Sequence, residues 1–181
     1  AGSVLGRASR YDVLVVGPGL GTVAREFVVR LLSGWPGPVV VDADALNALV
    51  RADALHRVPP TVITPHAGEF RRLAGVAASP WAARELAAET GAVVLLKGNP
   101  TFVAGRETWV VTTGGPELAT IGTGDVLAGM VGAFLAAGLP GEVAARSAAY
   151  HHGLAGRRLA RRRTVTAVDL VDEVGRRGYS S

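Results

Sequence analysis

Gly122-Thr-Gly-Asp125 stands directly before Val126 to Ala137, a run with helical spacing. The first N–H groups of a helix have no partner inside it, and the helix dipole is positive at that end. This opening therefore offers backbone donors to an anion. Asp125 falls in the first turn. A carboxylate beside an anion cradle is badly placed to hold phosphate by itself. It is well placed to take a proton from a hydroxyl that attacks the phosphate. The plainer alternative is that Thr123 or Asp125 only caps the helix, which is common and worth about 1 kcal/mol. The residues behind favour function. Val126, Leu127, Met130, Val131, Phe134 and Leu135 are apolar, and Ala128, Gly129, Gly132 and Ala133 are small. Such a helix is expected to be buried nearly all round, which would hold its N-terminus rigidly.

Four further clusters carry chemistry-bearing residues. Lys97-Gly-Asn-Pro-Thr101 contains the only lysine in the chain. It reads as a flexible point charge and loop holding phosphate, or as a strand-end lysine in solvent. Gly17-Pro-Gly-Leu-Gly21 leads into a helix but lacks the G-x-G-x-x-G spacing of a dinucleotide loop, so a tight strand-to-helix turn serves equally well. Asp42-Ala-Asp44 and Asn47 offer oxygens for magnesium, although helix capping is the simpler role for Asp42 and Asp44. Thr64-Pro-His-Ala-Gly-Glu69 sets His66 and Glu69 three residues apart, on one face, as a functional pair or a capping pair. His151 and His152 have no acid or cysteine at ligand spacing and read as packing or surface residues.

The elements that must position these clusters alternate regularly. Strands are expected at Tyr11–Val16, Val39–Asp42, Thr61–Thr64 and Ala92–Lys97, each a short β-branched or apolar run closed by glycine, proline or a polar residue. Helices are expected at Thr22–Leu32, Ala43–Val50, Gly68–Ala74, Pro80–Thr90, Thr123–Ala137, Glu142–Arg161 and Ala167–Val174, the last capped by Thr166. Thr101–Ala104 and Thr108–Val111 read as a hairpin across Gly105-Arg106. Apolar strands alternating with helices imply an α/β fold, a mostly parallel sheet covered on both faces. In such sheets ligands bind beyond the carboxyl ends of the strands, where all these clusters fall.

Composition narrows the classes. The 181 residues fit one domain, and 49% are hydrophobic, too many for a disordered chain. With no cysteine, disulfides, thiolate metal sites and cysteine nucleophiles are excluded. No apolar run reaches the roughly 18 residues of a membrane span, and no secretory leader is visible, so the expected setting is cytoplasmic. The 24 glycines are about twice the usual share, which suggests tight turns and close backbone approach. The net charge of +4 lies wholly after Gly141, where eight arginines face four acids. The run Gly156 to Arg163 suits the C-terminal end of a helix and a solvated face; a uniformly basic nucleic-acid binder is not indicated.

Taken in order, Gly17 to Gly21, Asp42-Ala-Asp-Ala-Leu-Asn47, Thr64 to Glu69, Lys97 to Thr101 and Ala119 to Gly129 resemble the ADP-dependent NAD(P)H-hydrate dehydratase family, which has a ribokinase-like fold. Tyr150 to Gly156 and Val165 to Leu170 resemble the family's closing segments, so the likeness runs from Tyr11 onward. Two positions depart from it: Gly115-Pro-Glu-Leu118 replaces Asn-Pro-Gly-Met, and Arg157 stands where an acid is usual. Members also carry a portion before Gly-Pro-Gly-Leu-Gly, and this chain is expected to be a single domain, 1–181, without it.

The resemblance implies a repair reaction in which hydrated NADH or NADPH (NAD(P)HX) is dehydrated at the expense of ADP or ATP, with Mg2+ on the phosphates. Lys97, Gly98, Asn99, Pro100, Thr101, Gly122, Thr123 and Gly124 would hold the nucleotide. Gly19, Gly21, His66 and Asp125 would meet the hydrated cofactor, with Asp125 as the catalytic residue. Asp42, Asp44 and Glu69 are the candidate metal ligands. A homotetramer is implied. Competing readings are a ribokinase-fold kinase of the thiazole or hydroxymethylpyrimidine type, a non-catalytic nucleotide-binding fragment, and RNA contact through Arg157 to Arg163.

Overall fold

Prolines start two of the central strands. The computed structural model describes residues 1–22, 25–49, 52–56 and 59–176. Strands β1 (Leu14–Val16), β2 (Val39–Val41), β3 (Thr61–Ile63) and β4 (Val93–Leu96) run parallel. Strands β5 (Thr101–Ala104) and β6 (Thr108–Val111) complete the sheet as an antiparallel hairpin, in the spatial order β1-β2-β3-β4-β5-β6. The expected first strand from Tyr11 is shorter. Val16 O accepts from Asp42 N, so the same ladder would have Asp12 O accept from Pro38, which has no N–H. Tyr11 instead follows a 3-10 turn at Ala8–Arg10 and is 60% exposed.

The helices are α1 (Gly2–Leu5), α2 (Arg25–Gly34), α3 (Ala43–Ala48), α4 (Ala67–Ala74), α5 (Pro80–Thr90), α6 (Thr123–Ala136), α7 (Gly141–Ala160) and α8 (Ala167–Gly175). Val23 and Val50, parts of two expected helices, lie outside the described residues. Alternation along the strands sorts the core into two layers. Val39, Val41, Ile63, Val94 and Leu96 pack with α2 to α5; Val40, Val62 and Leu95 pack with α6 and α7. The result is the three-layer α/β/α arrangement expected from the sequence. Helix α8 joins the end of α7 through Leu159, Val165 and Leu170.

A second expectation is corrected. α6 is not buried all round: Asp125, Gly129, Ala133 and Ala136 form an exposed stripe. Its buried side, with Leu127, Ala128, Val131 and Leu135 at 4% exposure or less, faces the sheet and α7. A Cβ on Gly132 would come within 2.5 Å of Val15 Cγ2, so glycine lets α6 approach β1 closely. Small residues on the open side look the same in sequence as small residues at a tight contact.

Candidate active site

The candidate site lies beyond the carboxyl ends of the parallel strands, against the start of α6. Its N-cap is Gly122, at φ 85°, and no side chain caps the helix. Thr123, one of the expected caps, is buried and turns its hydroxyl back toward Leu118 O and Thr120 O. Asp125 is exposed and makes no hydrogen bond among the described residues. The capping alternative therefore does not describe this helix. The N–H groups of Gly124 and Asp125 have no acceptor among the described residues and stay available to an anion.

Lys97 follows β4 and is not a solvent-facing strand end. Its ammonium lies 2.8 Å from Asp42 Oδ1 and 3.8 Å from Glu69 Oε2. A Cβ built on Gly124 would lie 3.6 Å from Nζ, so the ammonium sits against the first turn of α6. Asp42 occupies the N-cap position of α3 without capping it, and its Oδ2 is buried with no partner among the described residues. Asp44 accepts the Gly21 N–H at 2.8 Å. In the glycine turn after β1, Gly17, Gly19 and Gly21 all have positive φ.

His66 and Glu69 form a capping box at the start of α4. His66 Nδ1 accepts from the N–H groups of Gly68 and Glu69, at 2.9 and 3.3 Å. The proton of the neutral ring is therefore on Nε2. Glu69 Oε2 accepts the His66 N–H at 2.8 Å.

A cleft of about 390 Å³ joins these pieces. His66, Lys97, Gly98, Asn99, Thr101 and Thr123 line it together with Gly124. The far wall is the Thr113–Leu118 segment after β6 and the Ala149–Gly153 face of α7. Pro100 follows a cis peptide bond within the Lys97–Thr101 loop. Pro100, Gly122, Asp125, Gly19 and Gly21 stand outside the lining.

Sequence reasoning gave no part in the cleft to three residues at or behind this wall. His152 is 6% exposed, and its Nε2 lies 2.8 Å from Thr123 O; burial pushes its pKa below 6.5. Arg157, read as a departure from the family pattern and as the start of a solvated or RNA-contacting arginine run, donates to Thr112 O and Gly114 O and so ties α7 to the wall. Gly153 permits the close approach, since a Cβ there would fall 2.4 Å from Thr113 C. The signal was the small residue following His152. The rest of the arginine run lies elsewhere, around a separate groove between α7 and α8, with Arg163 paired to Asp169 at 2.9 Å.

No three His, Cys, Asp or Glu side chains gather for a metal among the described residues. Asp42, Asp44 and Glu69 each already accept a hydrogen bond, from Lys97, Gly21 and His66 respectively. The described side chains do not form a magnesium cage; Mg2+ is commonly bound through one or two carboxylates plus substrate phosphates.

A family model described as NAD(P)H-hydrate dehydratase matches residues 2–176. The chain belongs to this family. It is 43% identical over 167 residues to the bifunctional NAD(P)H-hydrate repair enzyme Nnr of Gloeobacter violaceus, covering 88% of this chain and 33% of that protein. It is 48% identical over 147 residues to the Mycobacterium tuberculosis Nnr, covering 76% of this chain and 31% of that one. The chain thus spans about a third of the length of the curated relatives it matches. The Bacillus subtilis ADP/ATP-dependent NAD(P)H-hydrate dehydratase, co-crystallised with ATP/Mg2+, superposes with a TM-score of 0.80 at 30% identity, over 95% of this chain and 69% of that one. Arabidopsis thaliana ribokinase, at 12% identity and a TM-score of 0.66, shares the fold. The ribokinase-like architecture expected from the sequence is therefore the observed one.

Proposed function

We propose that this chain carries the nucleotide-dependent dehydration of hydrated NADH or NADPH to the reduced cofactor. The observation that carries the reading is the uncapped start of α6. Among the described residues the Gly124 and Asp125 N–H groups have no acceptor and the Asp125 carboxylate has no hydrogen-bond partner, and the Lys97 ammonium lies beside them. The names of the relatives support the same chemistry.

In this reading the nucleotide occupies the cleft between the Lys97–Thr101 loop and the α7 wall. Asp125 takes the proton of the substrate's 6-hydroxyl as that oxygen attacks the terminal phosphoryl group. The phosphoanhydride bond breaks, and the shortened nucleotide leaves. The N–H groups of Gly124 and Asp125 and the Lys97 ammonium meet the charge that develops on the phosphoryl oxygens. The C6–O bond then breaks, pushed by the ring nitrogen, with loss of phosphate and of a proton from the neighbouring carbon. When bound with the nucleotide, Mg2+ would supply positive charge to the phosphates. Gly19, Gly21 and His66 meet the hydrated cofactor, and His66 offers Nε2–H as a donor. A homotetramer belongs to this reading through family resemblance, and one domain over residues 1–181 and a cytoplasmic setting belong to it from the sequence.

The test is incubation with hydrated NADH and ADP or ATP, following the return of reduced-nicotinamide absorbance and release of phosphate. Both signals are expected. Transfer of phosphate to the substrate without its release would mark a kinase instead, and nucleotide binding with no reaction at all would mark a non-catalytic fragment.

A further inference from the structure

Asp42 is 0% exposed, an expensive place for a carboxylate. It neither caps α3 nor joins a metal cluster among the described residues. Among the described residues, the one hydrogen bond of its carboxylate is from Lys97 Nζ to Oδ1 at 2.8 Å, across 55 residues of sequence. The side chains differ in exposure: Asp42 1%, Glu69 6%, Lys97 21%. The open part of the pair is therefore the lysine, and Lys97 lines the cleft. An ammonium has three donors. One goes to Asp42; Glu69 at 3.8 Å lies beyond hydrogen-bond reach. Among the described residues two donors remain without an acceptor, beside the first turn of α6.

We propose that Asp42 is a positioning residue: its buried carboxylate fixes the Lys97 ammonium at the N-terminus of α6, so that lysine and backbone N–H groups grip the same nucleotide phosphate. A free lysine would lose much side-chain entropy on meeting phosphate, because its four-carbon stem samples many rotamers. Asp42 removes that cost in advance by holding the stem across the ends of β2, β3 and β4. A buried ion pair adds little net stability over apolar packing, which suits a role in placement. This inference rests on the proposed nucleotide site.

The test is a double-mutant cycle on the full chain. ADP with Mg2+ is titrated calorimetrically into the wild type, Asp42→Asn, Lys97→Met and the double variant. Lys97→Met is expected to weaken ADP binding about ten- to a hundredfold, the worth of a hydrogen bond to a charged group. Asp42→Asn weakens it by a smaller factor and adds nothing in the Lys97→Met background. A purely structural role for Asp42 would persist in that background. Wild-type affinity in Asp42→Asn, or an equal loss with and without Lys97, overturns the proposal. Should Asp42→Asn alone not fold, the double variant against Lys97→Met still decides, since they must bind ADP equally. A wild-type chain that binds no ADP overturns this inference and the proposed function together; normal ADP binding and the expected cycle without turnover overturns only the proposed function.

Discussion

His152 on α7 holds the first residue of α6: its Nε2 lies 2.8 Å from the carbonyl oxygen of Thr123. The ring is 6% exposed, and burial lowers its pKa below 6.5, so the neutral form predominates at neutral pH. Neutral imidazole has one N–H, which must be on Nε2 to donate to a carbonyl. The unfolded chain takes up a proton near pH 6.5 and the folded chain only at lower pH. Between those values the unfolded state binds more protons. Stability from this group is therefore present above 6.5 and falls with acidification at up to ~1.4 kcal/mol per pH unit. Thermal denaturation between pH 5 and 8 should show His152→Gln losing less stability on acidification than the wild type. Equal slopes in the two proteins would refute the assignment.

Asp125 is exposed and has no hydrogen-bond partner among the described residues, so replacing its charge should leave the fold intact. Asp125→Asn keeps the backbone N–H and the side-chain shape. Nucleotide binding is expected to persist, while turnover of hydrated NADH falls about 10²- to 10⁴-fold, the range for loss of a general base. Calorimetry and the absorbance assay separate the two effects. Turnover at the wild-type rate would remove Asp125 from the mechanism.

Gly17 has a structural task with no substitute. Its φ is 128°, and a Cβ there would lie 1.7 Å from Asp42 O. Gly17→Ala combines backbone strain, worth about 1–3 kcal/mol, with a clash against the chain that carries Asp42. A fall in the chemical-denaturation midpoint is expected, together with weaker ADP binding. Gly19→Ala meets no described atom within 4 Å but keeps the strain of φ 65°, so its loss should be smaller.

What the sequence could reveal depended on sequence distance. Val39–Val41 and Thr61–Ile63 were readable because short β-branched runs bounded by proline have few other fates. The opening of α6 was readable because its glycines and acid are contiguous. Asp42 reads locally as a cap, since its partner Lys97 is 55 residues away and only the parallel register of β2, β3 and β4 brings their ends together. Arg157 and Thr112 meet only through the tertiary packing of α7 on the end of β6. The Tyr11 strand and the fully buried α6 failed for a related reason. Pairing and exposure depend on what lies alongside, which composition does not encode.

His66 separates structure from recognition within one side chain. Nδ1 serves the α4 cap, accepting from the N–H groups of Gly68 and Glu69, while the side chain is 55% exposed. His66→Ala removes the cap and should cost about 0.5–2 kcal/mol of stability. Asparagine is among the best capping residues, so His66→Asn should restore most of that stability. It does not restore the Nε2–H donor. Both variants are therefore expected to raise KM for hydrated NADH, with ADP affinity little changed, while only His66→Ala lowers the denaturation midpoint. A His66→Asn protein with wild-type KM would confine His66 to its capping role.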